Sequence, residues 1–349
     1  MSKAVYSGKV SNAVVGQAIY FLVCLAAIAL VVGISVGVGD MPIPLATTYL
    51  TISNKLGWTS VEINRIHEAV IWEYRLSRSL VAVFCGAGLA LCGAIMQSML
   101  RNPLAEPYVL GISAGASTGA VAVVILGIGA GAISLSAGAF IGAFGAFFLV
   151  ALLSNGARGG ADRTILAGVA ASQLFNAATS YVVATSGNAQ QARDVMFWLL
   201  GSFGSVRWPE FQLVSIVVSI GLVVCLFYSR VLDTFAFGDE AAASMGVNVG
   251  RMRIILFALT AIMTATIVSM VGTIGFVGLV IPHAARFVVG PLHARLLPAC
   301  AVSGAIFMVL ADIASRSLIP QQVLPIGVVT ALVGVPFFSV ILYRLQRAP

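Results

Sequence analysis

One short pattern in the sequence is typical of a catalytic nucleophile. Gly111-Ile112-Ser113-Ala114-Gly115 matches G-x-S-x-G, with which hydrolases place a serine on a sharp turn between a strand and a helix. Here the pattern lies inside a long apolar run that predicts a helix, so the strand and the turn are both missing. We therefore do not expect a serine hydrolase.

Other residue types that carry catalysis or bind metals are few and scattered. The chain has three lysines, none of which completes a G-x-x-x-x-G-K-[ST] phosphate loop, so we do not expect it to hydrolyse ATP. The three histidines lie far apart, and the five cysteines lie inside apolar runs without C-x-x-C spacing. The simplest role of these cysteines is packing. We expect no metal site, no disulfide and no cofactor on this chain.

Charged residues mark the ends of two apolar runs. Arg75 and Arg78 stand three residues apart at the start of a run, which places them on one helix face at the membrane surface. They could anchor the helix there or meet the charges of a partner. Asp312 lies well inside a late run, and Arg316, four residues on, is its expected ion-pair partner.

A polar face interrupts the apolar run 164–186. Steps of four and three residues keep its polar side chains on one side of a helix. Such residues either form hydrogen bonds between helices or line a water-filled path, and the sequence alone leaves both interpretations open. The face consists of Ser172, Asn176, Thr179 and Ser180.

The stretch 238–247 predicts a helix of about two turns between two long apolar runs. Asp239 and Glu240 suit the positive end of the helix dipole, three alanines favour helix, and Gly246 is placed for a left-handed cap. A helix this short is marginal in water, so it must pack against its own chain or against a partner. Its small face, Ala242 and Ala243 with Met245 beside it, suits insertion into another protein.

The composition is that of an integral membrane protein. Hydrophobic residues make up 60% of the 349 residues and charged residues 9%, against about 45–50% and 25% in soluble domains. The basic residues behind the net charge of +7 are scattered and lack interleaved aromatics, so we expect no nucleic-acid partner. Apolar runs predict one all-α transmembrane domain over 1–349, a compact bundle of ten helices. The predicted spans are 14–38, 79–100, 107–126, 132–154, 164–186, 208–228, 252–271, 274–289, 296–314 and 325–343.

Basic residues predict the orientation of these spans. With both termini in the cytoplasm, twelve Lys and Arg residues lie inside and seven outside, as the positive-inside rule prefers. Residues 229–251 are then cytoplasmic, whereas 41–74 and 188–207 are external. The four-residue spacing of Gly111, Gly115 and Gly119 predicts close helix contacts. Three glycines and a proline within 272–283 predict a broken helix.

Six motifs together resemble the FecCD family, the permease subunits of bacterial ABC importers for iron–siderophores, haem and vitamin B12. They cover roughly residues 15–345 in the family's order. The sequence departs from the family at Ser77, where proline is usual, which loosens the start of the second span but keeps both arginines. The motifs are Arg75-Leu76-Ser77-Arg78, NPLAEP at 102–107 with Leu110-Gly111, Gly238-Asp239-Glu240 to Met245-Gly246, GFVGLVIPH at 275–283, Ala311-Asp312 and LPIGV at 324–328.

The resemblance implies an assembly in the bacterial inner membrane. It comprises a homodimer of permeases within the lipid, two cytoplasmic ABC ATPase subunits that hold ATP and Mg²⁺, and a periplasmic substrate-binding protein. Residues 238–247 match the family's coupling helix, which docks on the ATPase. The coupling residues are Gly238, Asp239, Glu240, Ala242, Ala243, Met245 and Gly246.

The resemblance also implies three further sites. Arg75, Arg78 and Arg316 match outward arginines that dock the binding protein, which we expect on a solvent-exposed rim. Ala161 and Asp162 match the inner gate region, although the residue types differ. Because the family's fifth and tenth spans line the path, the resemblance favours the path interpretation of the polar face at 172–180.

We therefore predict a permease subunit that moves a chelated-iron compound from the periplasmic binding protein to the cytoplasm. Since no cluster of His, Cys, Asp or Glu could hold a bare metal ion, iron would have to pass inside a chelate. Ferric siderophore comes first, haem second and vitamin B12 third, in the order of how common each is in the family that the chain resembles. The alternative is a secondary transporter driven by ions. It would require carboxylates in the path, and the first eight spans have none near their middles.

Overall fold

The computed structural model describes residues 22–39, 41–154, 160–186, 188–319 and 321–346, and in these segments the regular structure is helical. A 3₁₀ turn, Pro107–Leu110, precedes α4. The helices are α1 (Leu22–Gly37), α2 (Leu45–Lys55), α3 (Arg65–Met99), α4 (Ile112–Val124), α5 (Leu135–Leu153), α6 (Ala161–Thr185), α7 (Ala189–Leu199), α8 (Trp208–Phe227), α9 (Ser229–Phe235), α10 (Asp239–Ser244), α11 (Val249–Val271), α12 (Val277–Val289), α13 (His293–Ser317) and α14 (Ile326–Gln346).

Each predicted span overlies one of these helices. Five of them, α3, α5, α8, α11 and α13, are long and apolar enough to cross a membrane, and α1, α4, α12 and α14 are shorter apolar helices. α6 has 25 residues but is more polar. The all-helical, multi-pass class is thus confirmed, whereas the count of ten crossings rests on the sequence. Residues 14–21 of the first predicted span and both chain ends lie outside the described residues.

The long helix α3 forms the centre of the bundle. It begins after Asn64, whose side chain accepts a hydrogen bond from the backbone N–H of Ile66. Residues Val70–Leu76 form a π-helical segment, after which the α-helix continues to Met99. Within α3, 83% of an apolar stretch of 18 residues is buried inside the protein. α3 therefore contacts protein rather than lipid along most of its length.

Glycines allow α3 to contact two neighbouring helices backbone to backbone. A Cβ atom on Gly86 would lie 2.1 Å from the carbonyl oxygen of Gly304 on α13. On Gly93 it would lie 1.8 Å from the carbonyl oxygen of Gly278 on α12. Neither distance is possible for real atoms, so any larger residue would force the helices apart.

The glycine spacing predicted for the next helices has the same effect. Gly115 and Gly119 of α4 face Gly142 and Gly138 of α5, with added Cβ atoms 2.3 and 2.1 Å from the opposing carbonyl oxygens. The prediction of close helix contacts is confirmed.

The predicted helix break lies between α11 and α12. Residues 272–276 leave the helix, with Gly272 at φ +74° and Phe276 at φ +69°. Protein covers this loop: Thr273 donates a hydrogen bond to the carbonyl of Leu199, and a Cβ on Gly272 would lie 2.1 Å from the carbonyl of Trp198. Segment 188–207 is therefore a packed element that includes α7 rather than a simple loop.

A glycine pair tests whether backbone contact holds the bundle together. We expect Gly93→Ala to destabilise the protein by about 3 kcal/mol, because the methyl group overlaps the backbone of Gly278. Gly145→Ala on α5 is the control, since nothing lies within 4 Å of the added methyl group. It should be neutral or stabilise by up to about 1 kcal/mol through helix propensity. Thermal unfolding in detergent measures both, and equal midpoints would contradict the close contact.

Candidate functional site

The predicted short helix is present as α10, Asp239–Ser244. Gly238 enters it at φ +99°, and Gly246 leaves it at φ +86°, the left-handed conformation expected of a glycine cap. The N–H of Gly246 donates to the carbonyl of Ala243, and the N–H of Val247 donates to that of Ala242. Both the helix and its glycine end are confirmed.

α10 is held by its own chain on one side. Ala242 is 0% exposed. Asp239, in the first turn, lies 2.6 Å from Nη2 of Arg253 on α11, whose side chain is buried. The carboxylate therefore serves as the anchor of α10.

The opposite side of α10 is open. Glu240, Ala243, Ser244 and Met245 are exposed, and Phe237 just before the helix is 75% exposed. The expectation that Ala242 belongs to an inserting face is wrong, because its methyl group packs inside the protein. Sequence reasoning also missed Phe237, although an aromatic residue one position before the helix-entry glycine is a visible signal.

Asp312 is the centre of a buried ionic cluster. Its side chain is 0% exposed. Oδ1 accepts from Nε of Arg78 at 2.8 Å and lies 2.7 Å from Nη2 of the same arginine, while Oδ2 lies 2.9 Å from Nη2 of Arg316. This carboxylate thus joins α3 to α13. In the low dielectric of the interior, the carboxylate and the two guanidinium groups depend strongly on one another.

Arg75 and Arg316 also hold the end of α1. Arg316 donates to the carbonyl of Val38 at 2.7 Å and to the hydroxyl of Ser35 at 2.8 Å. Arg75 donates to the carbonyls of Val36 and Met41, at 3.2 and 2.5 Å. The last turn of a helix has unpaired carbonyls and a negative dipole end, so these arginines complete α1.

The three arginines do not form the solvent-exposed rim expected from the sequence. Arg75 is buried, Arg316 is nearly so, and the side chain of Arg78 is 13% exposed. The expected pair of Arg316 with Asp312 is confirmed, whereas Arg78 as a second partner was missed because it lies 234 residues away in sequence.

The polar face of α6 divides into two parts. Thr179 is buried, and its hydroxyl shares a 2.8 Å hydrogen bond with that of Thr118 on α4. Ser172 is half-buried, while Asn176 and Ser180 are exposed on the surface of the chain. Thr179 thus forms a contact between helices, and the other three side chains can contact water or a partner.

The two inner gate candidates lie at the start of α6. Ala161 is half-buried and Asp162 is exposed in the first turn, where a carboxylate complements the helix dipole.

A cavity of about 630 Å³ lies between the end of α7, the loop 272–276 and α14. Its walls are mainly apolar, and among the side chains lining it are Leu199, Phe276, Leu332 and Val335. Tyr108 holds the loop 272–276 in place. Its hydroxyl donates to the carbonyl of Ile274 at 2.9 Å and accepts from the N–H of Ile274 at 3.1 Å.

Glu106 precedes the 3₁₀ turn and lies near the start of α12. Burial raises the pKa of Glu106, and the backbone N–H of Phe276 opposes the rise. Among the described residues, no group of three or more His, Cys, Asp or Glu side chains is placed to hold a metal ion.

A model of the FecCD transport family matches residues 25–344 of the chain. The chain belongs to the FecCD transport family. Among curated relatives, the FecCD chain is 36% identical to the cobalamin import system permease protein BtuC of Halobacterium salinarum, with 87% of this chain and 80% of the relative aligned. It is 37% identical to the vitamin B12 import system permease protein BtuC of Citrobacter koseri, over 80% and 84%. A Bacillus subtilis ABC transporter permease protein of uncharacterised role, YvrB, is 34% identical over 92% of both chains.

One solved structure agrees with this family, and a second shares the fold. The FecCD chain superposes with a TM-score of 0.80 and 30% identity on an inward-facing metal-chelate type ABC transporter, covering 93% of this chain and 98% of the other. A chain of PsaBC from Streptococcus pneumoniae, in complex with Fab, shares the fold at a TM-score of 0.57, 20% identity and coverage of 76% and 89%. The protein is thus a multi-pass ABC importer permease of the FecCD type.

Neighbouring alanines test which side of α10 is anchored. Ala242→Glu should destabilise the protein by about 3 kcal/mol or more, because it buries a carboxylate without a partner. Ala243→Glu, one residue on and exposed, is the matched control and should change stability by less than about 0.5 kcal/mol. Thermal unfolding in detergent gives both values. If Ala242→Glu were as stable as its control, the assigned orientation of α10 would be wrong.

A second substitution tests the ionic cluster. Asp312→Asn keeps the shape of the side chain but leaves two guanidinium groups without their counter-charge, so we expect a loss of about 3 kcal/mol. Asp194→Asn is the control, because Asp194 is exposed and bonds only Gln190 among the side chains described. Wild-type stability of Asp312→Asn would mean that Asp312 does not hold α3 and α13 together.

Proposed function

We propose that the chain is the membrane-spanning subunit of an ATP-driven importer that moves a bulky metal chelate into the cell, with cobalamin as the first candidate. The observation that carries this proposal is the two-sided α10 segment. Asp239 and Ala242 fix it to the bundle, while Phe237 and Met245 remain exposed. A fixed helix with an open apolar surface is suited to receive a second protein.

The partner of this surface is a cytoplasmic ABC ATPase subunit, which carries the ATP and Mg²⁺. The predicted orientation places twelve basic residues on the inner side of the cytoplasmic membrane and seven on the outer side. This excess supports a cytoplasmic position for α10 and for both termini. The working unit contains two permease chains, two ATPase subunits and an external substrate-binding protein.

The translocation path runs along the exposed polar side of α6. Ser172, Asn176 and Ser180 are free to contact water there, and in lipid such side chains would be costly. A second chain placed against α6 would remove them from lipid and enclose the path between the two copies. Ala161 and Asp162 at the start of α6 would then lie at its inner end.

Docking of the binding protein centres on Arg78. Arg75 and Arg316 are committed to carbonyls in the last turn of α1 and just beyond it, whereas Arg78 retains an exposed part of its side chain. The pair with Asp312 holds Arg78 in place, so a carboxylate on a partner would meet a preoriented guanidinium group.

Cobalamin precedes ferric siderophore and haem as the substrate, which moves cobalamin from the third place expected from the sequence to the first. The support is the naming of the relatives at 36% and 37% identity, together with the metal-chelate type of the structural neighbour. An ion-coupled secondary transporter is disfavoured, because the buried carboxylate of Asp312 is held by two arginines and cannot exchange ions freely.

Two phenylalanines test the proposed ATPase contact. Phe237→Ala should weaken co-purification of the ATPase at least about tenfold, as expected for an aromatic contact worth more than 1.4 kcal/mol. Phe227→Ala is the control, because Phe227 is 78% exposed but lies on the apolar helix α8. Co-purification is measured together with uptake of labelled cobalamin into vesicles that contain ATP.

The outcomes separate the parts of the proposal. Normal ATPase recovery in Phe237→Ala would remove α10 as the docking site. ATP-dependent uptake of a ferric siderophore or haem, without uptake of cobalamin, would keep the importer and correct its substrate.

A further inference from the structure

A continuous hydrogen-bonded chain of three side chains joins three helices at the end of the bundle that carries α10. Nε2 of His293, the first residue of α13, lies 2.6 Å from the hydroxyl of Ser98 near the end of α3. Nδ1 of the same ring lies 2.6 Å from Oδ1 of Asp233 on α9. Ser98 and His293 are buried, and Asp233 is partly so.

The neutral imidazole satisfies both contacts at once. Nδ1–H donates to Asp233, and Nε2 accepts from the Ser98 hydroxyl. Asp233 Oδ1 also accepts from the backbone N–H of His293 at 2.9 Å, so the same carboxylate caps the first turn of α13. Two contacts to one carboxylate fix α9 to α13 in both position and direction.

The order Asp–His–Ser is also that of a hydrolase triad, but the surroundings do not fit a catalyst. A triad requires a serine that a substrate can reach, with hydrogen-bond donors placed for an oxyanion. Ser98 is buried against His293 within the packed end of α3. The chain of contacts therefore joins structural elements.

One of the elements that it joins, α9, leads directly into the proposed ATPase site on α10. α9 ends at Phe235, and α10 begins at Asp239, so the two short helices form one cytoplasmic segment. That segment has a second tie, the pair of Asp239 with Arg253 on α11. Seven- and six-residue helices have little stability of their own, so their position depends on such contacts.

The other end of the connection extends through the bundle. α3 and α13 meet at Gly86 and Gly304 in the middle and through Arg78 and Asp312 at the far end. With Ser98 and His293, the two helices are thus joined at three levels along their length. A pair of helices packed backbone to backbone moves as a unit, since close-packed interiors do not deform continuously.

We propose that Asp233, His293 and Ser98 are positioning residues that transmit displacement of the α9–α10 segment to the α3–α13 pair. The inference rests on the proposed function, because the displacement is the one that an ATPase seated on α10 would impose. When that segment moves, the buried hydrogen bonds carry α13 and α3 with it, and the ionic cluster at the other end of the same helices moves as well.

The first experiment uses this chain alone and does not depend on the proposed function. Amide hydrogen exchange is measured in detergent for wild type, Asp233→Ala and Ser98→Ala. We expect faster exchange in α9 and in the first turns of α13, by about 2-fold to 30-fold, with unchanged exchange in α5. Unchanged exchange in α9 for both variants would overturn the proposal.

The second experiment uses the complete complex with its ATPase and binding protein. The readout is the number of substrate molecules imported per ATP hydrolysed, and we expect it to fall by about 2-fold to 30-fold in Ser98→Ala and Asp233→Ala. Subunit recovery should remain normal. Ser98→Thr, which keeps the hydroxyl, should restore the wild-type ratio, a result that a merely structural loss would not give.

Two control variants and the double variant complete the test. Ser215→Ala and Asp194→Ala remove the same groups from α8 and α7. Among the described residues, these two side chains bond within their own helices, so the ratio should remain unchanged. The double variant Ser98→Ala/Asp233→Ala should be no worse than the poorer single variant, because both act on one connection. Additive losses, or a Ser98→Thr variant as defective as Ser98→Ala, would overturn the proposal. A wild-type complex without ATP-driven uptake would instead contradict the proposed function, whatever the exchange data give.

Discussion

The backbone contact of α3 with α13 and α12 is the constraint on which the rest of this structure depends. In lipid, apolar side chains gain little by leaving their surroundings, so helices associate through close packing. Gly86 and Gly93 provide that packing, because the opposing carbonyls of Gly304 and Gly278 occupy the space of a side chain. Such contacts tolerate no sliding. They set the register of α3 against its neighbours and so decide which polar residues meet.

Two polar contacts of α3, one on each side of these glycines, follow from this register. Arg78, just after the π-helical segment, reaches Asp312, and Ser98, near the end of the helix, reaches His293. Taking a carboxylate out of water is costly, and the two guanidinium groups around Asp312 offset that cost. Arg75 and Arg316, in the same region, donate hydrogen bonds to the carbonyls at the end of α1. Charges that resemble a free surface in the sequence therefore hold three helices together.

The short helix α10 has two sides in opposite surroundings. A six-residue helix must be anchored to exist, and Asp239 with Ala242 supplies the anchor. On the other side, Phe237 just before the helix and Met245 just after it are exposed. Because a helix turns by about 100° per residue, Ala242 can be buried while Ala243 and Ser244 of the same short helix are exposed. A partner bound to the exposed side, as proposed for the ATPase, would therefore act on a segment that is fixed to the bundle.

The sequence by itself determined the features that depend on near neighbours in the chain. Apolar runs located the apolar helices of the bundle, Gly246 located the end of α10, and glycines predicted the break near Gly272. Family motifs then identified the kind of transporter. These signals are local, since hydrophobic period, caps and left-handed residues act within a turn or two.

Only the tertiary structure decided which side of each element faces inward and which distant residues meet. It turned Ala242 toward the protein, divided Thr179 from Asn176 on the same polar face, and gave Arg78 a partner 234 residues away. His293 likewise found Asp233 and Ser98 at separations of 60 and 195 residues. Such contacts depend on how far each helix is rotated and shifted against its neighbours. That rotation is set by the packing of the whole bundle, which no single stretch of sequence contains.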